Sequence, residues 1–193
     1  MKGKKVPWQR LIWFPLHVPK HSLIAWMAIL NRQPTRDRLV ACGLNIDSSC
    51  LLCSSATETR DHICFDREFS RRLWGLTLVL FGIRRSIGTW VQELNWAMAY
   101  LKGNSLIVRI LKPVWTALIH IIWCERNGRL FGKPSNPVEV LLSRIQEVVR
   151  IRLNGKQINR MDTINQQFCL NRGLSSIGIY SFVFFYRLCI ISC

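Results

Sequence analysis

Apolar residues recur at helical spacing along most of the chain, and this pattern predicts a mostly α-helical protein. The first strong pattern follows Pro19, where steps of three and four residues predict one buried helix face: Leu23, Ile24, Met27 and Leu30. A short helix from Arg36 to Cys42 comes next, with Thr35 as its N-cap and Gly43 as its C-terminal stop.

Four longer helices are predicted further along the chain, each with its apolar positions on one face. They cover about residues 68–81, 89–101, 105–126 and 137–153. The third of them contains Pro113, which is expected to kink it or split it in two. The last has the clearest start, because Asn136 suits the N-cap, Pro137 suits N1 and Glu139 suits N3.

The polar stretch 45–62 between the second and third helices contains the clearest candidate chemistry. Cys50 and Cys53 have the C-x2-C spacing of a metal knuckle, and His62 would supply a third ligand. A tetrahedral zinc site needs a fourth ligand, for which the candidates are Cys64, Cys42 and Asp66. Cys64 is nearest, and if the segment is extended it shares a face with His62. We therefore expect a small helical domain with an irregular zinc-knuckle loop inserted between helices.

Charge and composition narrow the classes of function. Lys and Arg number 27 against 11 Asp and Glu, a net charge of +16, which favours a polyanionic partner, nucleic acid first. No Asp-Asp pair, Gly-rich phosphate loop or Gly-x-Ser-x-Gly elbow occurs, so we expect neither an enzyme nor a small-molecule substrate.

The N-terminus lacks the pattern of a signal peptide. We therefore expect reduced cysteines and an intracellular location, nuclear or cytoplasmic.

The last 38 residues, 156–193, differ from the rest of the chain. They begin as a polar, weakly patterned linker and end in an apolar tail that contains the ten-residue run Ile177 to Tyr186. This run is too short to span a bilayer, since a span needs about 20 apolar residues. We expect a poorly ordered segment and no membrane partner.

Several motifs together make residues 8–74 similar to a known family. They are Leu-Ile-Trp-Phe-Pro with a following Pro-Lys, then Arg-Gln-Pro-Thr-Arg-Asp-Arg-Leu, Cys-Leu-Leu-Cys, Glu-Thr-Arg-Asp-His-Ile-Cys and a Phe-Ser-Arg-Arg-Leu-Trp that ends at Trp74. In this order they resemble the reverse transcriptase zinc-binding domain of plant LINE-type (non-LTR) retrotransposons. A later Trp-Cys-Glu-Arg-Asn-Gly-Arg-Leu-Phe resembles the segment that often follows that domain.

The resemblance implies zinc as the cofactor, with Cys50, Cys53 and His62 as ligands. The family's last ligand is a cysteine five residues after the histidine, and here that position is Arg67, which cannot bind zinc. Cys64 is the substitute that we expect from proximity. The resemblance also implies a degenerate copy, detached from its polymerase, with a zinc-binding-like domain at 8–80 and a helical extension at 86–155.

The function expected from these observations is a non-catalytic zinc module that binds RNA or DNA without reading its sequence. The candidate phosphate contacts are basic residues within the family-like part: Lys20, Arg32, Arg36, Arg38, Arg71 and Arg72. One alternative is a protein-interaction module with four exposed aromatic anchors: Trp8, Trp13, Trp90 and Trp96. The other alternative is a decayed fragment without function.

Overall fold

The protein is mostly α-helical. The computed structural model describes residues 6–153, and within them it contains seven α-helices and one π-helical turn. They are α1 (Gln9–Ile12), α2 (Pro19–Ile29), α3 (Arg36–Ala41), the π-helical turn (His62–Asp66), α4 (Glu68–Leu80), α5 (Trp90–Tyr100), α6 (Leu106–Leu130) and α7 (Val138–Leu153). The predicted fold class is confirmed, while the predicted linker and tail at 156–193 lie outside the described residues.

Helix α6 forms the centre of the core. It is buried along most of its length, and α2 and α7 pack against it, with α1 and the π-helical turn making smaller contacts. By length and composition α6 could cross a membrane, but 78% of its apolar window is buried inside the protein. Such burial is typical of a central core helix, because its apolar surface already has protein partners.

Pro113 neither splits α6 nor ends it, in contrast to one of the two outcomes expected from the sequence. The helix is continuous from Leu106 to Leu130, and Pro113 itself is buried. A proline inside a helix removes one backbone hydrogen bond. Thr116 lies one turn later and donates its hydroxyl to the Pro113 carbonyl at 3.2 Å. Packing on several sides holds the helix together across this position.

The buried face of α2 differs from the predicted one. The buried residues are His21, Ser22, Ala25 and Ala28, whereas 47% of Leu23 is exposed. Helix α2 is apolar around much of its circumference, so hydrophobic spacing alone did not determine which side turns inward. The small residues allow α2 to lie close against α6, and Ser22 donates its hydroxyl to the Ile12 carbonyl at 2.9 Å.

A buried glutamate organises the segment between α4 and α5. Glu93 is fully buried; its carboxylate accepts the indole N–H of Trp74 at 2.8 Å and the backbone N–H of Gly88 at 2.7 Å, and it pairs with Arg85. The predicted cap of α5 is confirmed, since Thr89 and Gln92 form a reciprocal capping box.

The two predicted segments, 8–80 and 86–155, share contacts. Helix α4 packs against α7, and the π-helical turn packs against α6. The buried ion pair between Glu58 and Arg126 also joins the two segments, with 2.6 Å between its charged atoms. The division into two domains stays a prediction, and these contacts show that the knuckle loop is supported by residues from the second segment.

Candidate metal centre

The loop that carries Cys50 and Cys53, called the knuckle, is a tight reversal of the chain that places these two cysteines at its end. The backbone N–H of Cys50 bonds to Ala56, and the N–H of Ser54 returns to the Cys50 carbonyl, both at 2.8 Å. Ser54 has a positive φ of 55°, which short polar residues tolerate better than branched ones. A single antiparallel bridge between Ser49 and Thr57 closes the base of the loop.

The third candidate ligand comes from the π-helical turn. The Thr59 hydroxyl accepts the backbone N–H of His62 at 3.1 Å and so fixes the start of this turn. The N–H of Arg67 bonds to the His62 carbonyl at 3.0 Å, the i to i+5 pattern of a π-turn. This turn therefore brings residue 67 above residue 62 on the same side.

Cys50, Cys53 and His62 converge into one group of potential ligands. Their ligand atoms all lie within 4.8 Å of one another, and Cys53 Sγ lies 3.1 Å from His62 Nε2. Tetrahedral zinc, with Zn–S of about 2.3 Å and Zn–N of about 2.0 Å, separates its ligand atoms by about 3.5–3.8 Å. The separations in this group, from 3.1 Å up to at most 4.8 Å, bracket the ideal values, so small side-chain shifts would let two sulfurs and one imidazole nitrogen hold a zinc ion with one position left for a further ligand.

The electrostatic surroundings favour a thiolate at Cys53 over one at Cys50. Burial raises the pKa of Cys53, but hydrogen bonds from Ser55, His62 and Cys50 outweigh burial and lower it to about 6. Cys50 is buried, and burial raises the pKa of its thiol, even though the Leu52 N–H donates to its sulfur at 3.4 Å. Binding of a metal would displace a proton from Cys50, so affinity should rise with pH.

Cys64 lies outside this group. Its side chain is 2% exposed and belongs to the hydrophobic core, and burial raises the pKa of its thiol to about 12. The condition under which Cys64 would share a face with His62, an extended segment, is not met, because His62–Asp66 is a π-helical turn. Residues two apart lie on the same side of a strand but on nearly opposite sides of a helical turn.

Arg67 occupies the position where the resemblance places the last ligand. It is 6% exposed, and burial lowers the pKa of its guanidinium, while the charges of Cys50 and Cys53 act in the opposite direction. Its Nη2 donates to the Ser70 hydroxyl at 3.2 Å, and the guanidinium lies 4.7 Å from the centre of the Phe69 ring. At the position where the resemblance implies a ligand, the chain therefore carries a buried cation.

A comparison with family models finds a match for the N-terminal part of the chain, which contains the three converging ligands. Residues 1–74 match the family described as zinc-binding in reverse transcriptase. The resemblance seen in the sequence motifs is thereby confirmed for these residues. What matches is a zinc-binding domain of reverse transcriptase and not a catalytic one. No curated protein and no solved structure matches the chain. The origin in a plant LINE-type element and the degenerate, detached state stay predictions.

The residues that support the knuckle, Glu58, Arg126 and Arg129, lie inside motifs that carry the resemblance, but residue spacing gave no sign of this supporting role. Glu58 is fully buried; its Oε1 accepts the Arg36 backbone N–H at 3.0 Å, and its Oε2 accepts the Leu51 N–H at 3.2 Å. The Arg126 guanidinium donates twice to the same carboxylate, at 3.1 and 2.6 Å. Arg129 adds a bond from Nη1 to the Leu52 carbonyl at 3.1 Å.

The six predicted nucleic-acid contacts divide into two groups. Three already have partners inside the protein: Arg36 with Asp47 and the Ser49 carbonyl, Arg71 with the Ile87 carbonyl, and Arg72 with Glu139. The other three form no described ion pair or hydrogen bond through their side chains, and they are Lys20, Arg32 and Arg38. The role of all six residues in nucleic-acid binding stays a prediction.

The aromatic anchors of the alternative interaction module are mostly unavailable. Trp90 is 2% exposed, so its prediction as an exposed anchor is wrong; it packs in the core against Phe65 and Trp115. Trp8 is half-buried, and Trp96 is covered by Arg85, whose guanidinium lies 4.0 Å from its ring centre. Only Trp13 of the four is exposed, at 43%.

A pair of histidines lies between α2 and α6, away from the knuckle. The ring centres of His21 and His120 are 4.2 Å apart, and the Cys124 thiol lies 3.5 Å from His120 Nε2. Burial lowers the pKa of His21 to about 3, aided by the nearby charges of His120, Lys20 and Arg152. Burial likewise lowers the pKa of His120 to about 4. Both shifts favour the neutral form of the imidazole rings.

Proposed function

We propose that the protein is a non-catalytic zinc module that binds nucleic acid through its basic surface. The observation that carries this proposal is the convergence of Cys50, Cys53 and His62 within 4.8 Å, in residues that match a reverse transcriptase zinc-binding family. These three side chains would hold the ion, which would fasten the knuckle to the π-helical turn as a structural cross-link.

Support for a nucleic-acid partner comes from charge. The chain carries a net charge of +16. Within residues 6–153, several buried or half-buried arginines are paired with acids, including Arg85 with Glu93 and Arg126 with Glu58. Among the cations of the described residues that have no acidic partner, Lys20 and Arg32 are exposed to solvent. Such cations neutralise phosphates and release counterions, which gives affinity without sequence preference.

Affinity for single-stranded RNA should therefore fall steeply with salt. The triple variant Lys20→Gln, Arg32→Gln, Arg38→Gln should reduce the slope of log affinity against log salt by about 2, since each lost contact to a single strand contributes about 0.7. Fluorescence anisotropy of a labelled oligonucleotide at several salt concentrations measures both slopes. An affinity that does not change with salt, or no binding at low salt, would contradict the proposal.

A further inference from the structure

A cleft of about 590 Å³ opens away from the knuckle, between the N-terminal segment with α1, the end of α5 and helix α6. Three cations line it from three different elements: Arg10 in α1, Lys102 after α5, and Lys112 in α6. No acidic residue is among its lining residues. None of the six basic residues singled out by sequence lines it either.

The cations of this cleft have no acidic partner among the described residues, although the Lys112 ammonium lies 6.0 Å from the centre of the Phe14 ring. Burial lowers the pKa of Lys112, and the nearby charge of Arg10 lowers it further. Among residues 6–153, no carboxylate forms an ion pair with Arg10, Lys102 or Lys112, whereas Arg60 and Arg129 each have an acidic partner. A bound anion would remove the repulsion between Arg10 and Lys112, so binding of an anion here is electrostatically favoured.

The cleft is larger than one phosphate group needs and is partly apolar. Its volume falls in the range of about 300–1,000 Å³ that is usual for small-ligand pockets. Met98 and Leu101 contribute apolar surface, while Gln9 and Asn95 contribute amides that can both donate and accept hydrogen bonds. A nucleotide has matching parts: its phosphate suits the cations, the polar edge of its base suits the amides, and the flat face of its base suits the apolar surface.

We propose that this cleft binds one nucleotide unit, with its phosphate on Arg10, Lys102 and Lys112 and its base against Met98. The unit is either a free nucleotide or one residue of a single strand. In the second case the proposal rests on the proposed function and adds a defined place on the protein where a strand is held. The cleft requires no zinc, so this site is independent of the knuckle.

The test uses the full chain with three probes: inorganic phosphate, a mononucleotide and a labelled oligo(U) strand. Lys112→Gln should weaken mononucleotide binding by about tenfold, as expected for the loss of one charge-assisted hydrogen bond. It should also reduce the salt slope for the strand by about 0.7. Lys133→Gln removes the same charge from an exposed position outside the cleft and should leave mononucleotide binding unchanged. Lys112→Arg should retain binding, and urea unfolding verifies that each variant is folded.

The outcomes separate the cleft from the proposed function. In one outcome the strand binds, but Lys112→Gln and Lys133→Gln have equal affinities for the mononucleotide and equal affinities for the strand. The cleft proposal is then overturned and the proposed function stands. If the mononucleotide binds in a Lys112-dependent way but no strand binds, the proposed function fails and the cleft is a free-nucleotide site. If phosphate binds as tightly as the mononucleotide, the base contributes nothing and the nucleotide assignment is overturned. If no probe binds, both proposals fail.

Discussion

Replacing Glu58 by glutamine is expected to lower the free energy of unfolding by about 3–5 kcal/mol, the usual cost of breaking a buried ion pair from one side. Arg126 is 3% exposed and would keep its charge without a counter-ion. The same carboxylate accepts the backbone N–H groups of Arg36 and Leu51, so the knuckle would also loosen. Urea unfolding followed by tryptophan fluorescence measures the change in the free energy of unfolding. Zinc affinity should also fall about tenfold or more, because residues that hold metal ligands in place usually contribute that much to affinity.

The matched control is Glu139→Gln, which makes the same substitution in an exposed ion pair. Glu139 lies 3.7 Å from Arg72, and both side chains are about two-thirds exposed. Exposed pairs contribute at most about 1 kcal/mol, so this variant should be close to wild type. If Glu58→Gln lost no more stability than Glu139→Gln, the Glu58–Arg126 pair would not support the loop as described.

Replacing Arg67 by cysteine is expected to raise zinc affinity by about 100-fold. Structural zinc binds zinc-finger peptides with about 10–16 kcal/mol over four ligands, which is about 3 kcal/mol for each. The π-helical turn places residue 67 above His62, and the Arg67 guanidinium already interacts with the charges of Cys50 and Cys53. A thiol at this position would complete a tetrahedral site and would also remove a cation beside the metal. Competition with a chromophoric chelator measures the affinity.

Arg67→Ser separates these two effects. Serine matches cysteine in size and removes the same charge, but its hydroxyl is a poor ligand for zinc compared with a thiolate. We expect it to raise affinity far less than Arg67→Cys does. Equal affinities in the two variants would show that residue 67 does not face the metal, and the account of the fourth position would then be wrong.

The sequence predicted most helices because their boundaries are encoded locally. Thr89 and Gln92 lie three residues apart and form the capping box that starts α5, and Gly43 adopts the positive φ that ends α3. The buried face of α2 was not predictable in this way, since apolar residues surround it. Small residues selected the face that packs on α6, and Leu23 remained exposed.

At the metal centre, the cysteines and the histidine were predictable from spacing, but their support was not. Glu58 and Arg126 are 68 residues apart, and no local pattern connects them. The placement of Cys64 depended on whether residues 62–66 form an extended segment or a π-helical turn. That choice follows from packing of Ile63, Cys64 and Phe65 into the core, which is a tertiary effect.

Zinc content of the purified chain tests the central claim most directly. Atomic absorption should find one zinc per chain in the wild type and in Cys64→Ala, and none in Cys53→Ser. This pattern would assign the metal to Cys50, Cys53 and His62, without Cys64. A wild type without zinc, or zinc retained in Cys53→Ser at the wild-type level, would contradict the account.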